Sequence, residues 1–113
     1  MALCDNPALA AIAGYNVIEG DDVGDVLSGG AGADAIYGHG GNDKLYGASG
    51  DDVVCGGFGN GKIRGEQGND ALFGEVHDDA LRGDKARDHL DGGSQTDDCD
   101  GGAGADDEVN CTP

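Results

Sequence analysis

Large aliphatic residues recur every nine positions along most of the chain, at Leu27, Ile36, Leu45, Val54, Ile63, Leu72, Leu81 and Leu90. Between them lie stretches rich in glycine and aspartate. With Gly20 as the first residue of a unit, ten consecutive nonapeptides run without insertion or deletion to Val109. Most carry Gly at phase one and Asp at phase six. The best copies read GGAGADAIY (Gly29 to Tyr37), GHGGNDKLY (Gly38 to Tyr46) and GEQGNDALF (Gly65 to Phe73). All are variants of G-G-x-G-x-D-x-U-x, with U a large aliphatic at phase eight, and such a short internal period predicts a stacked repeat architecture.

The nonapeptide divides into a turn and a very short strand. Glycine at phases one, two and four is expected to let the backbone take positive φ and turn tightly, bringing carbonyl oxygens beside the phase-six carboxylate. Oxygens so placed suit a hard cation. The x-U-x segment reads as a three-residue strand whose middle side chain points inward and whose neighbours point outward. Two units close a flattened coil of eighteen residues. The expected fold is all-β, a right-handed parallel β-roll (a β-solenoid) of about five such coils with short caps. Ala11 to Glu19 fits as a preceding unit, with Gly14 at phase four, Asn16 at phase six and Ile18 inward. The expected organisation is therefore a cap over 1–10, the roll over 11–109 and a second cap over 110–113.

Stacking alternate units puts phase six into two rows. One carries Asn16, Asp34, Asp52, Asp70, Asp88 and Asp106; the other carries Asp25, Asp43, Gly61, Asp79 and Asp97. Phase four is equally uneven: Gly14, Gly32, Gly50, Gly68, Ala86 and Gly104 in the first row, Val23, Gly41, Gly59, His77 and Gln95 in the second. Side chains tolerate left-handed turns poorly, so the second row is the eroded one. Asp21, Asp22, Asp51, Asp78 and Asp84 fall outside phase six and read as solvated surface charges.

The repeat resembles the calcium-binding nonapeptide of RTX proteins over about 90 to 100 residues. The resemblance implies Ca²⁺ held between successive turns of one row, each ion taking a carboxylate from both turns. That implies up to about five ions along the Asp34 to Asp106 row and fewer along the other, near Asp25 and Asp43, with Gly61 weakening two adjacent sites. Carbonyl and carboxylate arrays at high coordination number suit Ca²⁺ better than Mg²⁺, which demands tight octahedral geometry.

Composition supports a metal-dependent fold. At 113 residues the chain is one domain, and 24 glycines, no Trp and one aliphatic per nine residues cannot build an ordinary core. The 23 acidic and 6 basic residues leave a net charge of -17, which opposes compaction unless cations neutralise it. A largely unfolded metal-free chain that folds on Ca²⁺ is the expectation.

Cys4, Cys55, Cys99 and Cys111 show no C-x-x-C spacing, and their even number in a short chain favours disulfides, for which three pairings exist. Cys99 and Cys111 bracket the last unit. Cys55 sits at outward phase nine between Tyr37 and Phe73, within reach of a tail running from Cys4 that would lay Leu3, Pro7 and Leu9 on that stripe. The favoured pairing is Cys4 with Cys55 and Cys99 with Cys111. The toxins and proteases among RTX proteins are cysteine-poor and carry a secretion segment beyond the repeats, whereas four residues follow Val109 here. This chain is more similar to small secreted calcium-binding repeat proteins, which implies an extracellular location. Met1-Ala2-Leu3 is too short for a leader, and no membrane span is visible.

Other motifs do not outlast the repeat. GGFGNGK (Gly56 to Lys62) approaches a P-loop, but Ile63 replaces its Ser/Thr. Asp97, Gly102 and Glu108 have EF-hand spacing, yet Cys99 and Gly101 occupy ligand positions. His39, His77 and His89 fall in different phases, and no nucleophile is set beside a base, so neither catalysis nor nucleic-acid binding is expected. Lys44, Lys62, Arg64 and Arg82, with Tyr46, occupy outward phases of one strand face. That face reads as local relief of acidic charge, or as a contact for an anionic glycan or another copy of the chain. Two functional classes follow: a calcium-stabilised structural or adhesive module, and a ligand-binding module using its flat face. Ice binding is disfavoured because only Thr96 and Thr112 are present.

Overall fold

The computed structural model describes residues 14–20, 24, 26–76, 79–93, 97–102, 104, 106–109 and 111. Eleven short strands alternate between two parallel sheets. The first sheet contains β1 (Asn16–Glu19), β3 (Asp34–Tyr37), β5 (Val53–Cys55), β7 (Ala71–Phe73), β9 (His89–Asp91) and β11 (Asp107–Val109), in that spatial order. The second contains β2 (Val26–Ser28), β4 (Lys44–Tyr46), β6 (Lys62–Arg64), β8 (Ala80–Arg82) and β10 (Asp98–Asp100). Register follows the count of eighteen, as in Ile36 beside Val54 and Leu45 beside Ile63. The chain is a parallel β-roll.

A strand of three residues can bury only its middle side chain between the sheets. Ile36, Leu45, Val54, Ile63, Leu72, Leu81 and Leu90 form that core, and Ile18, Leu27 and Cys99 pack against its ends. Every aliphatic expected inward is there. Glu108 takes the phase-eight position of β11 beside Leu90, and its Oε2 accepts the Gly101 N–H at 2.9 Å.

Positive φ occurs at phases two and four, not at phase one. Phase four carries it at Gly14, Gly32, Gly41, Gly50, Gly59, Gly68, Ala86 and Gly104; phase two carries it even without glycine, at His39, Ala48, Glu66, Glu75 and Asp84. The expectation for phase one is corrected by geometry. A Cβ added at Gly47 would lie 2.8 Å from Asp52 Oδ2 and 2.9 Å from the Gly65 carbonyl oxygen. Glycine is required there to make room for oxygen, not to permit a left-handed turn.

The outward faces of the two sheets differ. On the first, Ala35, Tyr37, Val53 and Cys55 are buried and cluster with Tyr15, Val17, Ala71 and Phe73. The N-terminal residues expected to lie on this stripe are outside the described residues. On the second, Lys44, Lys62 and Arg64 are exposed and Tyr46 and Arg82 half-buried. Cys99 is joined to Cys111, as expected, stapling β10 to the residues after β11. Cys55 is also disulfide-bonded. Its expected partner, Cys4, lies outside the described residues.

Candidate calcium-binding turns

The phase-six residues stand at the entrance to each strand, where the chain leaves the turn. Asp34, Asp52, Asp70 and Asp88 in the first row, and Asp43, Asp79 and Asp97 in the second, are buried. Asp106 is half-buried and Asn16 exposed; Asp25 lies outside the described residues, as do the phase-four Val23, His77 and Gln95.

In the first row each carboxylate ties two coils together. Oδ1 of Asp52, Asp70, Asp88 and Asp106 accepts the backbone N–H of Asp34, Asp52, Asp70 and Asp88, at 2.8 to 2.9 Å. Asn16 extends the ladder upward, its Nδ2 donating to Asp34 Oδ1 at 3.2 Å. The second row repeats the device at Gly61 N–H to Asp79 Oδ1 and Asp79 N–H to Asp97 Oδ1, both 2.8 Å. Gly61 itself offers no carboxylate to Asp43.

The other carboxylate oxygen has a different setting. Oδ2 of Asp52, Asp70 and Asp88 is buried without a hydrogen-bond partner. Each lies against the phase-one glycine of its own turn, and at Gly47 and Gly83 the phase-one carbonyl of the next coil, Gly65 or Gly101, approaches the same point. The same pairing recurs at Gly38, whose added Cβ would be 2.7 Å from both Asp43 Oδ2 and the Gly56 oxygen, and at Gly74 with Asp79 Oδ2 and the Gly92 oxygen. At Gly56 the carboxylate is missing and Ile63 Cδ1 stands in its place at 3.2 Å. Among the described residues no three acidic, His or Cys side chains converge; the oxygens these turns bring together are single carboxylates and backbone carbonyls. That donor set suits Ca²⁺.

Electrostatics separates Oδ1 from Oδ2 in effect. Desolvation pushes Asp52 up to about 7, Asp70 to about 8 and Asp88 to about 6. The N–H bond to Oδ1 opposes the rise, and neighbouring carboxylates add to it. A buried carboxylate with one bare oxygen needs a proton or a cation. The residues present fit Ca²⁺.

A second ladder, at phase five, was not anticipated. Asn42 Oδ1 accepts the Asn60 N–H at 2.9 Å, Asp51 Oδ1 the Asn69 N–H at 2.9 Å, and Asn69 Oδ1 the Arg87 N–H at 3.0 Å. It runs opposite to the phase-six ladder, each coil donating to the side chain of the coil before it. Asp51, expected to be a solvated charge, is exposed but has this structural bond. The signal was legible: Asn42, Asp51, Asn60, Asn69 and Asp78 place an Asx at phase five in consecutive units. Asp84 pairs with Arg64, Nε to Oδ2 at 3.5 Å.

A parallel roll whose turns stack carboxylates on carbonyls defines a calcium-binding repeat protein. The family model described as RTX calcium-binding nonapeptide repeat (4 copies) matches residues 19–54, 56–86 and 74–107, and the chain belongs to that family. No curated protein sequence matches the chain. No helix among the described residues is long and apolar enough to cross a membrane.

Proposed function

We propose that the protein is a secreted module that folds when its turns bind Ca²⁺ and then serves as a structural or adhesive element outside the cell. The observation that carries this reading is the line of buried, unpartnered Oδ2 atoms at Asp52, Asp70 and Asp88 in a chain of net charge -17. Asn16, Asp34, Asp52, Asp70, Asp88 and Asp106 line the principal sites, up to about five in number. Asp43, Asp79 and Asp97, with Asp25, line fewer and weaker ones. Metal binding then becomes folding free energy. Disulfides at both Cys55 and Cys99 support an oxidising, extracellular setting. The test is circular dichroism with disulfides intact. The spectrum in excess chelator should be that of a disordered chain and convert to strand on calcium titration; identical spectra with and without calcium would refute the proposal.

A second reading rests on the exposed face of the second sheet. Lys44 lies in register with Lys62, and Arg64 with Arg82, so like charges stand on adjacent strands, an unfavourable arrangement. Arg82 is answered by Asp98 and Asp100, Arg64 by Asp84. Among the described residues no carboxylate lies within ion-pair distance of Lys44 or Lys62. These lysines, with Tyr46 alongside, favour contact with an anionic glycan or the acidic turns of another copy. Replacing Lys44, Lys62 and Arg64 by Ala should abolish glycan retention or sedimentable assembly, and unchanged behaviour would leave the face as charge relief alone.

A further inference from the structure

Gly61 does more than break the second row. By standing where other units have Asp, it creates the dipeptide Asn60-Gly61, whose chemistry no other unit shares. Asn42 and Asn69 are followed by Asp43 and Asp70, and Asn16 by Val17. An asparagine side chain is attacked by the backbone nitrogen of the next residue. Attack is fastest when that residue is glycine, because no Cβ obstructs the five-membered ring.

We propose that Asn60 is a deamidation site that the folded roll holds shut and the unfolded chain leaves open. The Gly61 nitrogen bonds to Asn60 Cγ, and ammonia leaves with the former amide proton. Water then opens the resulting succinimide at either carbonyl, giving aspartate or isoaspartate at position 60. Atoms balance with water as the sole co-reactant.

The roll restrains the backbone atoms on which this depends. The nucleophilic Gly61 nitrogen donates its hydrogen to the buried Asp79 Oδ1 at 2.8 Å. The Asn60 N–H donates to Asn42 Oδ1 at 2.9 Å, and the Gly61 carbonyl accepts the Ala80 N–H at 3.0 Å. The 60–61 peptide is thus clamped to the coil before it and the coil after it, and ring closure must rotate it out of both. Opening that segment means separating β6 from its neighbours, so cyclisation should follow unfolding, as amide exchange does. Resting on the proposed calcium-dependent folding, this makes residue 60 a chemical record of time spent without calcium. The record is irreversible. An isoaspartyl residue adds a methylene to the main chain and breaks the count of nine between β5 and β6, so register with β4 and β8 is lost.

The experiment incubates the intact, disulfide-bonded chain at mildly alkaline pH in three arms: calcium, excess chelator, and calcium with urea. Deamidation is read by mass spectrometry on the peptide Leu45 to Lys62, and circular dichroism is recorded in each arm. The urea arm should match a synthetic peptide spanning residues 57–64, and the calcium arm should be at least about tenfold slower. Equal rates in calcium and urea, with the calcium arm folded, would overturn the proposal. A chelator arm that remains folded and slow would overturn only the calcium-dependent folding, since the urea arm still tests protection. Gly61→Ala should slow the urea arm; if it does not, the reaction does not proceed through the Gly61 nitrogen.

Discussion

The two rows of turns use the same nine positions, and at phase six Gly61 interrupts one of them. From Asp34 to Asp106 every coil hands its phase-six N–H to the next carboxylate, and the second oxygen of each central carboxylate lies buried without a hydrogen bond. In the other row Gly61 keeps its N–H bond to Asp79 but supplies no oxygen to Asp43. The difference teaches that the aspartate has two separable tasks. Oδ1 carries the coil-to-coil ladder, which a glycine can still join as donor. Oδ2 is left buried without a hydrogen bond, the position proposed for a Ca²⁺ ligand, and glycine supplies no atom there.

The most severe way to break the comparison is to remove one carboxylate from each row. Asp70→Ala orphans the buried Asp52 N–H, about 1–3 kcal/mol, and deletes the Oδ2 at the middle of the continuous row. The calcium midpoint of folding should rise roughly tenfold or more, at about 1.4 kcal/mol per decade. Asp79→Ala orphans the Gly61 N–H likewise, but it sits beside an existing gap and should move the midpoint less. A larger shift for Asp79→Ala in a calcium titration would reverse the ranking of the rows.

A smaller effect comes from the glycines that make room for oxygen. Gly47→Ala forces a methyl to 2.8 Å from Asp52 Oδ2 and 2.9 Å from the Gly65 oxygen. It should cost roughly 2–3 kcal/mol, as overpacking does, and weaken calcium response. Gly56→Ala meets the Gly74 oxygen at 2.9 Å but no carboxylate, so it should lower thermal stability with less change in calcium response. Equal calcium responses in the two variants would detach phase one from the metal.

Acidity offers a gentler probe of the continuous row. Asp52, Asp70 and Asp88, at about 7, 8 and 6, stand above the value of about 3.9 for an unfolded aspartate. The metal-free roll therefore binds more protons than the unfolded chain, gains stability as pH falls from about 8 towards 4, and loses it as pH rises through the folded values. With calcium the order inverts, because protons compete for Oδ2. Strand content followed by circular dichroism in chelator should rise as pH falls across this range, and strand content rising with pH would contradict it.

The smallest expected change is a repair. A Cβ at Gly61 has Asp79 Oδ1 at 3.2 Å and the Asp43 oxygen at 3.5 Å as nearest neighbours, so Gly61→Asp fits with slight adjustment. Calorimetry should find added calcium binding in the second row, and the calcium dependence of folding should steepen because another buried charge disfavours the metal-free roll by about 1–2 kcal/mol. Unchanged stoichiometry would mean that the second row is limited elsewhere, for example by its phase-four residues.

A constant coil of eighteen makes residue i the neighbour of i+18, so counting alone placed Ile36 on Val54, Asp52 on Asp70 and Lys44 beside Lys62. The inward residues, the two rows and the gap at Gly61 were all legible for that reason, while the Cys99 to Cys111 staple was legible because those cysteines bracket the last unit. Counting did not reveal which oxygen of an aspartate faces a carbonyl, why phase one must be glycine, or that the phase-five Asx side chains form a ladder of opposite direction. Those depend on approaches of a few ångströms between backbones of different coils. The alternation of x-U-x is the same in both sheets, and residue type is what distinguishes their outward faces: the apolar face of Tyr37 and Val53 is buried and the basic face of Lys44 and Lys62 is open. Periodicity determines neighbours along the stack, because every coil has equal length. What covers a face, and which atoms meet inside a turn, are decided by non-local packing that no single repeat contains.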